Sequence, residues 1–426
     1  MLQTERFYLT NGLPVSELPS PHLHSLRLDY FLRDGSRWET RVTGGLAHFT
    51  EHMLFGGNRV IANKREMALA LAAIGGATNG ETGPEAAGFY LGTRPAHLAR
   101  AMELFGAMIT GPLFQPVDIQ MEKRIVLAEI GEELRKGSVD ELLWPDHPLS
   151  YYVSGRPENV RRFDSATLAD HHRRFYTPDN GVLVVTGPVM GSEVRPLAEA
   201  HFAQLTGSFA EPALPAAGLP LSPTVVRFAT VADMPSHTLY LAFPVGRPDF
   251  RQQAALYLLN TILGASDTSR LFQSLRETLG LVYTVESALT LWADTGALYV
   301  ELNVSSRHLH RALGQALQEI KRLAGEEVPR AELERAKEWQ VANLEGVLDD
   351  PAGIARRLAL QELFQDLPPV DEAIRLTQAV EPIEIQQVAR DVLLPGAARL
   401  FVQGPGLDRE DQSEIRALLR QYARGT

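Results

Sequence analysis

The chain has 426 residues, 45% hydrophobic and 22% charged, with a formal net charge of −11 and no cysteine. That length predicts more than one domain, with cores large enough to need no disulfide staples. The acidic balance argues against a nucleic-acid partner, which calls for clustered Lys and Arg. The missing thiols exclude cysteine-ligated zinc, a cysteine nucleophile and a disulfide framework, so any metal must be held by His, Asp or Glu.

The opening "MLQTERFYLTNGLPV" lacks a basic region followed by an apolar core, and no apolar stretch approaches the length of a membrane-spanning helix. The expectation is a cytoplasmic protein with no membrane partner. Leu26, Leu28, Tyr30 and Leu32 alternate with polar Arg27 and Asp29, which predicts a strand. Residues 46–55 then read as a helix ending near glycine, inside "GGLAHFTEHMLFGG" at 44–57. It carries His48-Phe49-Thr50-Glu51-His52. Helical positions four apart share a face, with roughly 5–6 Å between Cβ atoms. His48 and His52 can therefore meet one ion, and Glu51, at the edge of that face, can reach a water on it. Leu46, Phe49, Met53, Leu54 and Phe55 would anchor the helix and keep the site dry. By spacing alone, the motif fits a pair of hydrogen-bonded core histidines equally well.

Further along, "GGATNGETGPEAAGFYL" at 75–91 is rich in glycine, but it lacks the Lys-Ser/Thr of a phosphate loop and the dinucleotide spacing. It reads as a turn into a strand at 88–93. In "LFQPVDIQMEKRIVLAEI", 113–130, a proline separates two helical segments. The second continues as an amphipathic helix over 120–134, with Ile125, Val126 and Ile130 on its apolar side. Glu122 and Glu129, seven apart, also share a face. Such a pair supplies a third metal ligand or is simply a solvated surface.

A linker is expected at 209–223, "FAEPALPAAGLPLSP", which holds four prolines and divides the chain into 1–208 and 224–426. The halves share an order of elements: strands at 26–32 and 237–243, helices at 46–55 and 252–263, strands at 88–93 and 296–304. A proline-broken helical pair closes each series, at 113–130 and 326–345. This predicts an α+β protein of two similar lobes, each a mixed, mainly antiparallel sheet packed against helices. The second half has no His-x-x-Glu-His motif, and no histidine occurs between His237 and His308. It offers "SRLFQSLRETLGLVYTVES" at 269–287, read as a helix over 269–278, a stop at Gly280 and a strand through Tyr283 and Val285. By pattern alone Arg276 is a surface charge and Tyr283 a half-buried strand residue.

His48-x-x-Glu51-His52 with Glu129 and Glu122 downstream resembles the inverted-zincin peptidases, the family of pitrilysin, insulin-degrading enzyme and mitochondrial processing peptidase. "NGLPV" at 11–15, "HPLS" at 147–150 and "FYTPDNGVLVVTG" at 175–187 extend the likeness over nearly the whole chain. The resemblance implies a zinc-dependent endopeptidase or oligopeptidase with one zinc per chain. It assigns the metal to His48, His52 and Glu129, and water activation to Glu51. Glu122 would support the site from behind the ligands. Arg276 and Tyr283 match an Arg/Tyr pair seven apart that contacts the substrate carbonyl, and Asn79 matches the start of an edge strand that pairs with an extended peptide. Gly80 and Ala87 depart from the Ala and Thr usual there. Large relatives carry four lobes in one chain, so two lobes imply a homodimer in which Arg276 and Tyr283 serve the partner's site, acting on unfolded peptides. The rival readings are a subunit of a heterodimeric peptidase and a non-catalytic assembly subunit of the same fold.

Overall fold

Runs of alternating or continuous apolar residues in the first half pair into one sheet. Its strands are β1 (Glu5–Tyr8), β2 (Pro14–Pro19), β3 (Leu26–Leu32), β4 (Ala77–Thr82), β5 (Ala87–Thr93) and β6 (Gly181–Gly187). The spatial order is β1-β2-β6-β3-β5-β4, with β2 and β6 parallel and every other neighbouring pair antiparallel. The run "GVLVVTG" becomes β6, buried along its whole length because both faces of the sheet are covered there. The computed structural model describes residues 4–212, 217, 225–393 and 398–424; residues 213–216 and 218–223 of the expected linker lie outside them.

The helices of the first half are α1 (Leu46–Leu54), α2 (Lys64–Ala73), α3 (Leu98–Thr110), α4 (Pro116–Lys136), α5 (Asp140–Leu143), α6 (Pro157–Val160), α7 (Ser165–Phe175) and α8 (Gly191–Phe202). In the second half they are α9 (Phe250–Leu263), α10 (Leu309–Gly325), α11 (Arg330–Asp349), α12 (Pro351–Phe364), α13 (Val370–Ala379), α14 (Pro382–Val392) and α15 (Arg409–Arg424). The second sheet contains β7 (Val225–Thr230), β8 (His237–Gly246), β9 (Thr284–Leu291), β10 (Thr295–Val304) and β11 (Arg399–Gly404), ordered β7-β11-β8-β10-β9. Only β7 and β11 run parallel. This repeats β2-β6-β3-β5-β4 strand for strand, so the shared order of elements reflects a repeated α+β topology.

The chain forms two compact units. One comprises Met1–Leu134, Tyr151–Leu214 and Gly346–Leu367; the other comprises Arg135–Ser150, Pro215–Glu345 and Pro368–Thr426. Where the sequence suggests uninterrupted lobes 1–208 and 224–426, each unit instead takes in one segment from the opposite half. The reason lies in the sheets. In the first unit α3 and α8 cover one face through Met102, Phe105 and Phe202, packed with Leu28, Tyr30 and Leu183. The side chains that point the other way, Phe31, Val182 and Val184, are buried by Ala355 and Ala359 of α12. In the second unit α9, α10 and α14 cover Leu241, Phe243 and Val300. Ala242, Ala297 and Phe401 on the opposite face are buried by Leu142, Leu143 and Trp144.

Two smaller expectations are corrected. Val126 and Ile130 are fully buried, but Ile125 is 45% exposed, because a 100° step carries it off the stripe that the other two define. The helix expected over 269–278 includes a π-type segment, Phe272–Thr278, and β9 begins at Thr284, just after Tyr283.

The seating of α1 matters most for the site. Leu46, Phe49 and Met53 join Ile119, Val126 and Ile130 of α4, Val160 of α6, Leu168 of α7, and Phe163 between these last two helices, in one apolar cluster. The chain enters α1 through Gly45, at φ 94. A Cβ there would lie 2.6 Å from the carbonyl oxygen of Ser154 and 2.8 Å from Cα of Gly155, and one on Gly155 (φ 85) would lie 2.4 Å from the carbonyl oxygen of Gly44. Two backbones cross in van der Waals contact, which only glycine permits. Gly45→Ala should therefore destabilise the first unit by roughly 1–3 kcal/mol. A urea midpoint unchanged from wild type would show that the two segments can separate freely.

Candidate metal centre

Nothing in Gly45 can cap α1, and the free N–H groups of its first turn are taken from a distance. The Glu39 carboxylate accepts from Gly45 N–H and Ala47 N–H, both at 2.8 Å. Burial pushes this carboxyl up to about 8 despite those bonds. Asn159 ties the same entry loop, donating to the carbonyls of Arg41 (3.0 Å) and Gly44 (3.1 Å). With the helix fixed at its start and along its apolar face, His48 and His52 emerge side by side, ring centroids 4.7 Å apart.

Glu129, 46% exposed on α4, meets them. Its Oε2 lies 3.8 Å from Nε2 of His48 and 3.5 Å from Nε2 of His52. Among the described residues this is the one cluster of three such side chains whose donor atoms all fall within 4.8 Å. Donors bound tetrahedrally at about 2.0–2.1 Å stand roughly 3.3 Å apart. With Glu129 Oε2 at 3.5 and 3.8 Å from the two Nε2 atoms and all three donors within 4.8 Å of one another, a modest closure would bring them around one small divalent ion.

The chemistry of the donors agrees. Burial, helped by His52, lowers His48 to about 4, so its imidazole is neutral and free to donate a lone pair. His52 Nδ1 lies 3.1 Å from Oε2 of Glu122, which orients the ring and leaves Nε2 to the ion. Burial opposes protonation of His52, but the Glu122 hydrogen bond and the charges of Glu129 and Glu51 outweigh it and raise its pKa. Glu122 is buried, and desolvation works against its charge; the hydrogen bonds from His52 and from Lys64 Nζ (2.7 Å) prevail and hold it below the usual carboxylate range. Glu122 thus touches Nδ1 of His52, while Glu129 faces its Nε2.

Glu51 is 8% exposed. Burial raises its pKa, against a hydrogen bond from Thr82 and the charge of His52, while Glu129 adds to the rise. The Thr82 hydroxyl donates to its Oε2 at 2.6 Å. Glu39, Lys64 and Thr82 escape a reading of the sequence: a capping carboxylate seven residues before the first residue of its helix has no motif. Only Thr82 leaves a trace, through the period of two that places it with Thr78 and Gly80 on one face of β4.

Asn79 lies within β4, the edge strand of its sheet, on the exposed face that alternates with that of Thr82. Arg276 and Tyr283 belong to the second unit. Arg276 is exposed, its guanidinium 5.0 Å from the Phe272 ring centre, and Tyr283 is 63% exposed, its N–H donating to the carbonyl of Asn303 at 2.8 Å. In the stretch 147–150, His147 is buried and its Nδ1 accepts from Leu149 N–H (3.1 Å). Asn180 donates to the carbonyls of Arg33 and Phe175 at 3.0 and 2.8 Å, closing the turn into β6.

Glu129→Ala should weaken divalent-metal binding more than Glu122→Ala, whose loss should cost about 10–100-fold through a misoriented His52. Competition of the apo-protein against a chromogenic chelator measures both. Wild-type affinity in Glu129→Ala would remove that carboxylate from the ligand set.

A model of the insulinase family, peptidase family M16, matches residues 24–143, and one described as the peptidase M16 inactive domain matches 162–338. The chain is 30% identical over 431 residues to a protein of Mycobacterium tuberculosis named an uncharacterized zinc protease, covering 98% of this chain and 97% of that one. It is 27% identical over 411 residues to the Bacillus subtilis protein named uncharacterized zinc protease YmxG, covering 94% and 98%. Among solved structures, a protease from Helicobacter pylori superimposes with a TM-score of 0.84 at 20% identity, covering 95% of this chain and 100% of that one. A protein from Pseudomonas fluorescens described as a peptidase M16 inactive domain gives 0.85 at 20% identity, covering 95% and 99%. With the metal-type cluster inside the stretch that matches the insulinase model, the chain belongs to peptidase family M16, the pitrilysin family.

Proposed function

We propose that this chain is a zinc-dependent endopeptidase or oligopeptidase that hydrolyses unfolded peptides, with one zinc held per chain by His48, His52 and Glu129. The observation that carries the reading is the convergence of two Nε2 atoms and one carboxylate oxygen beside a buried, otherwise unused carboxylate. The names of the relatives support zinc as the metal. Zinc, when bound, supplies a Lewis acid where a scissile carbonyl and a water meet. Glu51 takes the proton from the attacking water and later passes it to the leaving amine. Its burial raises its pKa from an ordinary carboxylate value toward that task. Glu122 and Lys64 keep His52 oriented throughout.

An extended peptide can pair with the free edge of β4 by main-chain hydrogen bonds, with Asn79 at hand, which requires little of its sequence. In a homodimer, Arg276 and Tyr283 of one chain would hydrogen-bond the carbonyl oxygen at the partner's site and stabilise its developing charge. Their exposure supports this reading. A cytoplasmic setting belongs to the same proposal; among the described residues no helix is long and apolar enough to cross a membrane. The rival reading, a non-catalytic subunit, draws on the inactive-domain match, which covers 162–338 and leaves His48, Glu51, His52 and Glu129 outside it.

Wild-type protein loaded with zinc should cleave members of a quenched peptide library and stop when a chelator strips the metal. Glu51→Gln should retain zinc and lose about 10²-fold or more in turnover; cleavage at the wild-type rate would take the base role from Glu51. Mixing inactive Glu51→Gln chains with weakened Tyr283→Phe chains should restore activity, because a mixed dimer contains one intact composite site. A mixture no more active than its components, with dimers verified by light scattering, would place Tyr283 outside the partner's site.

A further inference from the structure

We infer that Thr82 is the positioning residue for Glu51, holding one carboxylate oxygen so that the other points at the reacting water. The inference rests on the peptidase reading for its catalytic meaning, but its geometry stands independently. Thr82 Oγ1 donates to Glu51 Oε2 at 2.6 Å across 31 residues of sequence. No other hydrogen bond to the Glu51 carboxylate is present among the described residues, and Oε1 is left to take a proton. Hydroxyls of Thr more often satisfy nearby backbone. This one reaches instead from the edge strand to the buried side chain of α1.

The surroundings give the bond its importance. Thr78, Gly80 and Thr82 form the half-buried face of β4, while Ala77, Asn79 and Glu81 are exposed. Glu51 packs over Gly80, where a Cβ would stand 3.0 Å from its Cγ and 3.1 Å from its Oε1. Gly80 offers Glu51 room but no side-chain wall. The Thr82 hydroxyl is then the polar contact that selects one orientation of a carboxylate otherwise free to rotate about its terminal torsion.

Thr82 is itself well anchored. It pairs with Ala87 at the last rung of the β4–β5 ladder, and Gly83 N–H closes the turn onto the carbonyl of Ala86 at 2.8 Å. The turn is tied down by Arg37 N–H to the carbonyl of Pro84 (2.8 Å) and by Trp38 Nε1 to that of Glu85 (2.9 Å); Arg37 also forms an ion pair with Glu85. A rigid donor facing a mobile carboxylate is what positioning requires.

The test compares zinc-loaded, full-length wild type, Thr82→Val, Thr82→Ser and Thr82→Val/Glu51→Gln. Thr82→Val keeps the shape and removes the donor. Its kcat should fall about tenfold or more with KM and zinc content unchanged. Thr82→Ser should recover most of the rate, and Thr82→Val should slow Glu51→Gln no further. Equal kcat in Thr82→Val and wild type, a loss confined to KM, or no recovery in Thr82→Ser would overturn the assignment. Crystal structures of the two single variants decide it whatever the rates: Glu51 should leave its position in Thr82→Val and keep it in Thr82→Ser. An unmoved Glu51 in Thr82→Val refutes the positioning role, whereas a zinc-loaded wild type inert toward all peptides refutes the peptidase reading instead.

Discussion

The first unit depends on how α1 is clamped. Phe49 and Met53 on one side of the helix sit in the cluster built by α4, α6 and α7, and that burial sets the rotation that presents His48 and His52 on the other. α4 makes the same division, burying Val126 and Ile130 while turning Glu122 and Glu129 toward the histidines. Two amphipathic helices sharing one core thus align their polar edges. Because interiors are packed at crystal-like density, the separation of the donor atoms inherits the rigidity of the apolar contact. Side chains held in this way would lose little conformational entropy on binding an ion.

Electrostatics complete what packing begins. Glu51, Glu122 and Glu129 crowd around two imidazoles, and Lys64 brings the cationic side chain that contacts Glu122. Such a concentration of carboxylates is costly unless a cation joins it. The cost is divided by hydrogen-bond partners as much as by burial. Glu122 is charged and doubly hydrogen-bonded, Glu51 is biased toward its proton, and His48 is biased away from one. Neighbouring side chains thus include a charged carboxylate, a carboxyl pushed toward its protonated form and a neutral imidazole, distinguished by their surroundings.

The second unit shows the same topology put to another use. Its α9 occupies the place of α1 between the second and third strands of the repeat, β8 and β9 here and β3 and β4 in the first unit, but Leu256, Leu258 and Leu259 bury it where α1 carries its polar edge. Asn260 accepts a hydrogen bond from Ser287 at 2.7 Å, tying α9 to β9. The exposed polar chemistry has moved to the π-type turn and the residues after it, where Arg276 and Tyr283 stand open to solvent. Both sheets are mixed in the same way and both require cover on two faces, which explains why each unit takes a helix from the other half of the sequence.

What the sequence determined by itself is whatever follows from local period and residue type. Strand alternation at 26–32, the i, i+4 histidines, the repeated order of elements and the α+β class all come from short-range steric and hydrophobic patterning. Such patterning also placed Glu122 and Glu129 on one helical face, though Ile125, hydrophobic but a 100° step off the apolar stripe, is exposed. Tertiary structure alone decided that Glu129 meets the histidines, that Glu39 caps α1, that Thr82 reaches Glu51, and that α12 and α5 lie on the sheets they cover. Apart from the Glu39 cap, whose donors lie six and eight positions on, these depend on contacts between residues tens to hundreds of positions apart, which arise only when buried surfaces are matched across the folded chain.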